Sequence, residues 1–134
     1  MTRSMLVRDY MIASPLTFTS DMDLLQAAHQ LIRSGFSGAP VVDEQGWPVG
    51  MLTEQDCIAS ALQAYYHGTR GGLVGEHMTP KPRTVGAHDS ILDAAQQFIT
   101  QKYYGYPVVT DDGYLVGLLR RRDVLKAMGE FYPK

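Results

Sequence analysis

The sequence predicts an α+β fold built from two tandem copies of one β-α-β-β-α unit. The 134-residue chain repeats itself at an offset of 67 residues, and 18 of the 50 positions in 7–56 are identical to those in 74–123. In both copies, a stretch of helical periodicity precedes two short apolar runs that a glycine turn separates. A unit of about 60 residues alone buries only about 60% of its unfolded surface. We therefore expect the copies, 1–67 and 68–134, to pack as one compact domain with pseudo-twofold symmetry and a cleft between them.

The element order predicted for the first copy is a helical lead-in, an extended segment, a helix, two strands and a closing helix: 4–11, 16–19, 22–34, 39–43, 47–52 and 54–65. Ser20 or Asp21 is expected to cap the long helix, and Gly35 to end it. The second copy predicts the same order, with its long helix opening at Asp89 or Ser90: 74–78, 83–85, 89–99, 106–109, 114–119 and 123–128. The glycine-rich stretch 67–72 is expected to link the copies.

The composition is typical of a folded, water-soluble protein, with 45% hydrophobic and 19% charged residues. No apolar run reaches the length of a membrane helix, and the first residues are too few and too charged for a secretory signal. The single cysteine, Cys57, forms no internal disulfide, which favours a cytoplasmic location. Cys57 is interpreted as a small buried residue, with a reactive thiol as the alternative.

Neither charge nor motifs indicate an enzyme or a nucleic-acid-binding protein. The net charge is −2, although the first half holds three basic and seven acidic residues and the second half nine and seven. Part of the basic surplus is the run 120–122, read as a solvated surface or a small anion site. The chain has no P-loop, nucleophile elbow or HExxH motif, and its four histidines lack metal-ligand spacing. We expect neither catalysis nor a bound metal.

Two pairs of segments carry a resemblance to a known family. PVVDEQGWPVGMLTEQD recurs as PVVTDDGYLVGLLRRRD, and the lead-in VRDYMIASPLTF recurs as VGEHMTPKPRTV. These segments resemble the CBS (cystathionine-β-synthase) domain, which occurs in pairs called Bateman modules. The resemblance implies a regulatory module that binds an adenosyl nucleotide between the paired units: AMP, ADP, ATP or S-adenosylmethionine. It also implies a homodimer that passes ligand occupancy to an effector protein.

The family's Ser/Thr-x-x-Asp motif falls on Thr53 and Asp56 in the first copy. The resemblance assigns Asp56 to the ribose, and a carboxylate can accept charge-assisted hydrogen bonds from both ribose hydroxyls. A phosphate would be favoured near Thr53, at the helix N-terminus. The resemblance places further ligand contacts at positions on the preceding segments: Thr17, Ser37, Gly38, Ala39 and Pro40. A plain helix-capping role explains Thr53 and Asp56 equally well.

The second copy departs from this motif, because Arg120 replaces the hydroxyl residue ahead of Asp123. The guanidinium could point at a phosphate, or it could fold across the pocket and block it. Tyr104 and Tyr106 replace Ser37 and Ala39, and a tyrosine ring could stack on a base. The other positions that the resemblance places near this second site are Thr84, Gly105 and Pro107.

Three functions from different classes remain open. The first is the ligand-sensing module, the second is a ligand-free module for dimerisation or docking, and the third is a contact with nucleic acid through Arg83 and 120–122. A dimer surface could be formed by apolar residues of the lead-in and closing helices: Met5, Leu6, Met11, Leu62, Tyr65, Tyr66, Leu125, Met128, Phe131 and Tyr132. The alternative is that these side chains cover their own unit.

Overall fold

The computed structural model describes residues 4–68, 72–101 and 103–131. In chain order, its elements are a 3-10 turn (Val7–Asp9), β1 (Ile12–Ala13), α1 (Leu24–Ser34), β2 (Gly38–Val42), β3 (Pro48–Thr53), α2 (Glu54–His67), α3 (Val74–His77), β4 (Thr79–Pro80), β5 (Val85–Gly86), α4 (Ile91–Thr100), β6 (Gly105–Val109), β7 (Leu115–Arg120) and α5 (Arg121–Phe131). The predicted α+β repeat is confirmed, although the first extended segment of copy one is reduced to a single bridge between Phe18 and Val41.

The described chain divides into two compact units that differ from the sequence repeats. The Thr53 unit is Leu16–Pro82, and the Arg120 unit is Met1–Pro15 together with Arg83–Lys134. Each unit therefore contains the lead-in of the other repeat. The predicted division after residue 67 marks the duplication, whereas the compact units separate at Pro15 and Pro82, because each lead-in strand pairs within the unit that it joins.

The sheets of the two units have matching topology. In the Arg120 unit the strand order is β1-β7-β6-β5, and β5 is parallel to β6. In the Thr53 unit the order is β2-β3-β4, with Phe18 bridging β2 in parallel on its free edge. The lead-in strand thus lies at one edge of each sheet. Met78 and Met11 of the lead-ins lie against Gly50 and Gly117, where a Cβ atom would overlap the methionine sulfur.

Each unit has its own hydrophobic core between its sheet and its helices. In the Thr53 unit, buried residues include Phe18, Leu24, Leu31, Leu52 and Val74. In the Arg120 unit, the buried residues come from the lead-in, the strands and both helices: Val7, Val85, Ile91, Ala94, Tyr106, Val108, Leu119, Val124 and Ala127. Val7 and Val74 are fully buried lead-in residues, so the lead-ins are part of the cores.

The helix ends show where local sequence patterns were sufficient. Asp23 caps α1 by accepting a hydrogen bond from the Gln26 N–H, so the predicted caps at Ser20 or Asp21 were wrong by two or three residues. Ser90 caps α4, as one of the two alternatives predicted. Gly35 ends α1 in the left-handed conformation, as expected. Of the predicted linker, His67 is the last residue of α2, and 69–71 lie outside the described residues.

No helix in the described ranges has the length and apolar composition that crossing a membrane requires.

Candidate functional site

The predicted ligand residues of the first copy meet where β3 passes into α2. Thr53 is the last residue of β3 and lies opposite Gly38 on β2. The Glu54 N–H donates to the Ser37 carbonyl oxygen at 2.9 Å. Ser37, Gly38 and Thr53 are therefore neighbours at one end of the strand pair, beside the N-terminus of α2.

Thr53 and Asp56 form a capping box at the start of α2. The Asp56 N–H donates to Thr53 Oγ1 at 3.4 Å, and the Thr53 N–H donates to Asp56 Oδ2 at 2.9 Å. The Thr53 hydroxyl also donates to Oδ2, at 3.0 Å. The capping role that the sequence left open is therefore real. It does not use the whole carboxylate, because Oδ1 accepts no hydrogen bond from the described residues and Asp56 is half-buried.

The remaining predicted residues of this copy lie along the sheet edge. Thr17 is half-buried and precedes Phe18, whose N–H donates to the Pro40 carbonyl oxygen at 3.0 Å. Ala39 is fully buried in the core of the Thr53 unit, and Pro40 is also buried. The Ala39 side chain faces that core, which leaves only its backbone for a ligand.

The equivalent junction of the second copy holds an ion pair. Arg120 ends β7 opposite Gly105 on β6, and α5 follows it. Its Nε donates to Asp123 Oδ2 at 3.1 Å, and its Nη2 donates to Oδ1 at 3.0 Å. The Arg120 N–H also donates to Oδ2, at 2.9 Å. The guanidinium thus folds back onto the carboxylate of its own motif, and both oxygens of Asp123 are occupied.

Both side chains of this pair are largely shielded from solvent. The Asp123 side chain is 6% exposed and the Arg120 side chain 22% exposed. The hydrogen bonds that Arg120 donates to Asp123 raise the pKa of the Arg120 guanidinium above its usual value, and Tyr104 acts in the same direction. Tyr104 is half-buried and interacts with Arg120. The structure therefore brings Tyr104, Arg120 and Asp123 together, as the sequence alignment of the two copies suggested.

Tyr106 has a structural role. Its ring is fully buried in the core of the Arg120 unit and packs edge-on against Phe98, with ring centroids 4.7 Å apart, and against Tyr103, at 5.6 Å. Its hydroxyl donates to the Gln97 carbonyl oxygen at 3.4 Å. Of the two tyrosines that could stack on a base, Tyr106 is therefore not accessible to one, because its ring is fully buried. Burial also raises the pKa of Tyr106.

The other residues predicted for the second copy have separate positions. Thr84 is exposed and immediately precedes β5. Pro107 is buried in β6. A Cβ atom on Gly105 would lie 2.9 Å from the Leu119 carbonyl oxygen, so glycine is required there by the spacing of β6 and β7, whether or not a ligand approaches.

Cys57 lies on helix α2, and His77 lies beside that helix. Cys57 is partly buried against the core, and burial together with Asp56 and Glu54 raises the pKa of its thiol, which disfavours a reactive thiolate. His77 lies 3.4 Å from the Ser60 hydroxyl, a contact between α2 and α3. The described residues contain no group of three or more histidine, cysteine, aspartate or glutamate side chains that could hold a metal.

The helices carry exposed apolar side chains at equivalent positions of the two units, which the sequence reading partly missed. Ile32 on α1 and Ile99 on α4 are 76% and 82% exposed, although both fit the helical spacing of apolar residues in the sequence. Leu25 and Leu92, which lie about two helical turns before these isoleucines, are also exposed. The exposed positions on the closing helices are Ile58, Leu62, Tyr65, Tyr66 and Leu125. The shared offset of 67 residues was the signal that could have found them.

Of the predicted dimer residues, several cover their own unit. Met11, Met128 and Phe131 pack against the core of the Arg120 unit, whereas Met5 is 40% exposed. Tyr132 lies outside the described residues.

The curated relatives of this chain include proteins that contain CBS domains. A curated relative, the chloroplastic CBS domain-containing protein CBSX1 of Arabidopsis thaliana, is 31% identical over 127 residues, covering 76% of this chain and 54% of that protein. The chain spans about half the length of the first curated relatives that it matches. Since these relatives are named chloroplastic, the cytoplasmic location stays a prediction.

Solved structures share the fold closely. The crystal structure of CBSX2 from Arabidopsis thaliana in complex with AMP has a TM-score of 0.84 at 29% identity, covering 96% of this chain and 98% of that chain. The CBS domain pair of protein MJ0100, in complex with 5-methylthioadenosine and S-adenosyl-L-methionine, has a TM-score of 0.82 at 27% identity, covering 95% and 98%. The sequence model of the CBS domain matches twice, at residues 7–62 and 74–130, and the chain therefore belongs to the CBS domain family.

Proposed function

We propose that this chain binds an adenosyl nucleotide through Asp56 of the Thr53 unit and acts as a ligand-sensing regulatory module. The observation that carries the proposal is the half-buried Asp56 carboxylate, whose Oδ1 accepts no hydrogen bond from the described residues. Related CBS pairs contain AMP, or 5-methylthioadenosine and S-adenosylmethionine, in their crystal structures, which supports the ligand class. ADP and ATP are the other candidates.

The chemistry of the junction suits such a ligand. Asp56 offers the ribose hydroxyls an ionised acceptor, which makes stronger hydrogen bonds than a neutral one. The N-terminus of the 14-residue helix α2 favours a nearby anion such as phosphate. Gly38, beside Thr53, has no side chain to keep a ligand away from the backbone. Binding is the role of these residues, and no bond-breaking step is assigned to them.

Titration calorimetry with AMP, ADP, ATP and S-adenosylmethionine tests the proposal. At least one of the four should bind with micromolar affinity, and Asp56→Asn should weaken it by about 10–100-fold, since a hydrogen bond to a charged group contributes about 1.5–3 kcal/mol. Glu54→Gln is the matched control, because it removes an exposed carboxylate from the same helical turn. No binding of any of the four, or equal losses in both variants, would contradict the proposal.

Homodimerisation is the second part of the proposal, and the exposed apolar helix positions support it. Large exposed apolar patches on a folded protein are typical of interaction surfaces. Three of the exposed positions are apolar in both units: Leu25 and Leu92, Ile32 and Ile99, and Ile58 and Leu125. Light scattering after size-exclusion chromatography should report a dimer. Leu62→Lys should shift it to a monomer, whereas Gln63→Lys, at the next exposed position of α2, should not. A monomeric parent protein would refute this part.

We further propose that ligand occupancy is passed to an effector protein. If it is, a partner captured from an extract should change in yield when the ligand is added, and Asp56→Asn should remove that change. A purely structural module would capture the same amount of partner in all three samples: the parent protein without ligand, the parent protein with ligand, and Asp56→Asn with ligand.

A further inference from the structure

At the two strand–helix junctions, the equivalent carboxylates Asp56 and Asp123 accept different sets of hydrogen bonds. At the Thr53 junction, Oδ2 of Asp56 takes two hydrogen bonds, both from Thr53. At the Arg120 junction, Asp123 takes three from Arg120, distributed over both carboxylate oxygens. The oxygen that a ligand would need is therefore available in one unit and occupied in the other.

The occupied carboxylate is also the more deeply buried one. Asp123 is buried, whereas Asp56 is half-buried. A bidentate arginine–carboxylate pair is among the strongest hydrogen-bonding arrangements in proteins. A neutral ribose hydroxyl that displaced it would leave a guanidinium without its counter-charge, which is strongly unfavourable in a partly desolvated position. The ligand would therefore have to break an ion pair before it could bind.

The position that corresponds to Ser37 adds to this closure. Tyr104 occupies it with a much larger side chain, half-buried, and interacts with Arg120 electrostatically. Ser37, by contrast, is exposed. The second junction thus has less open surface, and its arginine interacts with both Asp123 and Tyr104.

We infer that Arg120 closes the second ligand site from within by pairing with Asp123, so that the chain binds one nucleotide, at the Thr53 unit. This inference rests on the proposed function and makes it more specific. Arg120 is then a specificity-determining residue that excludes a ligand, and it does not contact a phosphate. The number of sites is set by one residue of the four-residue motif.

Arg120→Thr tests the inference, because it gives the second junction the Thr-x-x-Asp pattern of the first. Calorimetry with AMP and with S-adenosylmethionine should show one ligand per parent chain and a second binding event in the variant. Arg121→Thr is the matched control: it removes an equal charge from an exposed neighbour and should leave the stoichiometry at one. Two ligands per parent chain, or no second event in Arg120→Thr, would overturn the inference.

The reciprocal change tests the same point at the first junction. Thr53→Arg should provide Asp56 with a guanidinium partner and lower nucleotide affinity by at least about tenfold, equivalent to 1.4 kcal/mol. Thr53→Ser, which keeps the hydroxyl, should bind like the parent. Parent-like affinity in Thr53→Arg would contradict closure by arginine.

A measurement on the ligand-free protein separates this inference from the proposed function. In an NMR spectrum of the parent protein, the Arg120 Nε–H should exchange with water at least about tenfold more slowly than that of the exposed Arg121. Arg120→Lys and Arg121→Lys assign the two signals. Equal exchange rates would overturn the closed junction even if AMP binds. If no nucleotide binds the parent chain but the Arg120 Nε–H is protected, the proposed function fails and the closure stands.

Discussion

Position 39 on β2 and position 106 on β6 are equivalent in the duplication, yet the Thr53 unit has alanine there and the Arg120 unit has tyrosine. On the neighbouring extended segments the sizes are reversed, with Phe18 in the first unit and Val85 in the second. All four side chains are buried in the core of their own unit. Each core therefore receives one aromatic ring from these two positions. The ring comes from the extended segment in the Thr53 unit, as Phe18, and from β6 in the Arg120 unit, as Tyr106. Duplicated units can therefore diverge by coupled changes in side-chain size while they keep the fold.

The junctions at Thr53 and Arg120 differ in a second way. One motif uses a hydroxyl to cap the helix and leaves carboxylate capacity unused, whereas the other uses a guanidinium and leaves none. The first arrangement suits a ligand-binding site, and the second suits an ion pair that stabilises the junction of β7 and α5.

Tyr106→Ala should destabilise the protein most. The substitution removes a fully buried ring that packs on Phe98 and Tyr103, and deletion of such rings costs about 3–5 kcal/mol. Urea unfolding measures the loss in the free energy of unfolding. Tyr114→Ala is the control, because that tyrosine is 46% exposed. Similar losses for both would mean that Tyr106 is not a core residue.

Asp123→Asn should destabilise the protein by about 2–3 kcal/mol, because it leaves Arg120 without its charged partner. Asp56→Asn should cost only about 1 kcal/mol, since it weakens a helix cap. Chemical denaturation of both variants, without ligand, gives the difference. Equal costs would erase the distinction between the two junctions.

Ala39→Tyr should destabilise the Thr53 unit by about 1–3 kcal/mol, because Phe18 already fills this part of the core. Adding Phe18→Val should recover at least half of the loss, since the pair then matches Val85 and Tyr106. A double-mutant cycle measures this coupling. Additive effects would show that the two positions do not share space.

Gly117→Ala should have the smallest effect of the four, about 1 kcal/mol. The new Cβ atom would overlap the sulfur of Met11 and lie 3.0 Å from the Ile12 carbonyl oxygen, so the lead-in must shift. Gly50→Ala should act equally through Met78 and Thr79 in the other unit. Thermal unfolding with amide exchange at β1 and β4 reports the change. Undisturbed exchange at both strands would contradict the proposed contact.

Most of the fold was predictable because its signals are local. Helical periodicity, cap residues and glycine turns indicated the four long helices and both hairpins to within a few residues, and Gly46 and Gly113 adopt positive φ in the turns. The helical lead-in predicted for 4–11 was wrong, because only Val7–Asp9 form a 3-10 turn there and strand β1 follows. The N-cap of α1 was misplaced, since 20–23 offers several residues able to cap and only the chain's path selects Asp23.

The candidate site was predictable as a set of positions and only partly as a geometry. Register brings Ser37, Gly38 and Thr53 together, as the family resemblance implied. The direction of the Arg120 side chain was left open, although its i,i+3 spacing to Asp123 was visible. Tyr106 was kept as a possible ligand contact because residue type alone does not distinguish a tyrosine that lines a pocket from one that is buried in a core.

The duplication, the α+β order of elements and the CBS domain resemblance were determined by the sequence alone, because they depend on residue type and spacing along one chain. Tertiary structure decided the exchange of lead-ins between the units, the burial of Tyr106 and the pairing of Arg120 with Asp123. These depend on which surfaces meet in space, and the free energy of burying a ring or a charge is set by its surroundings rather than by its neighbours in sequence.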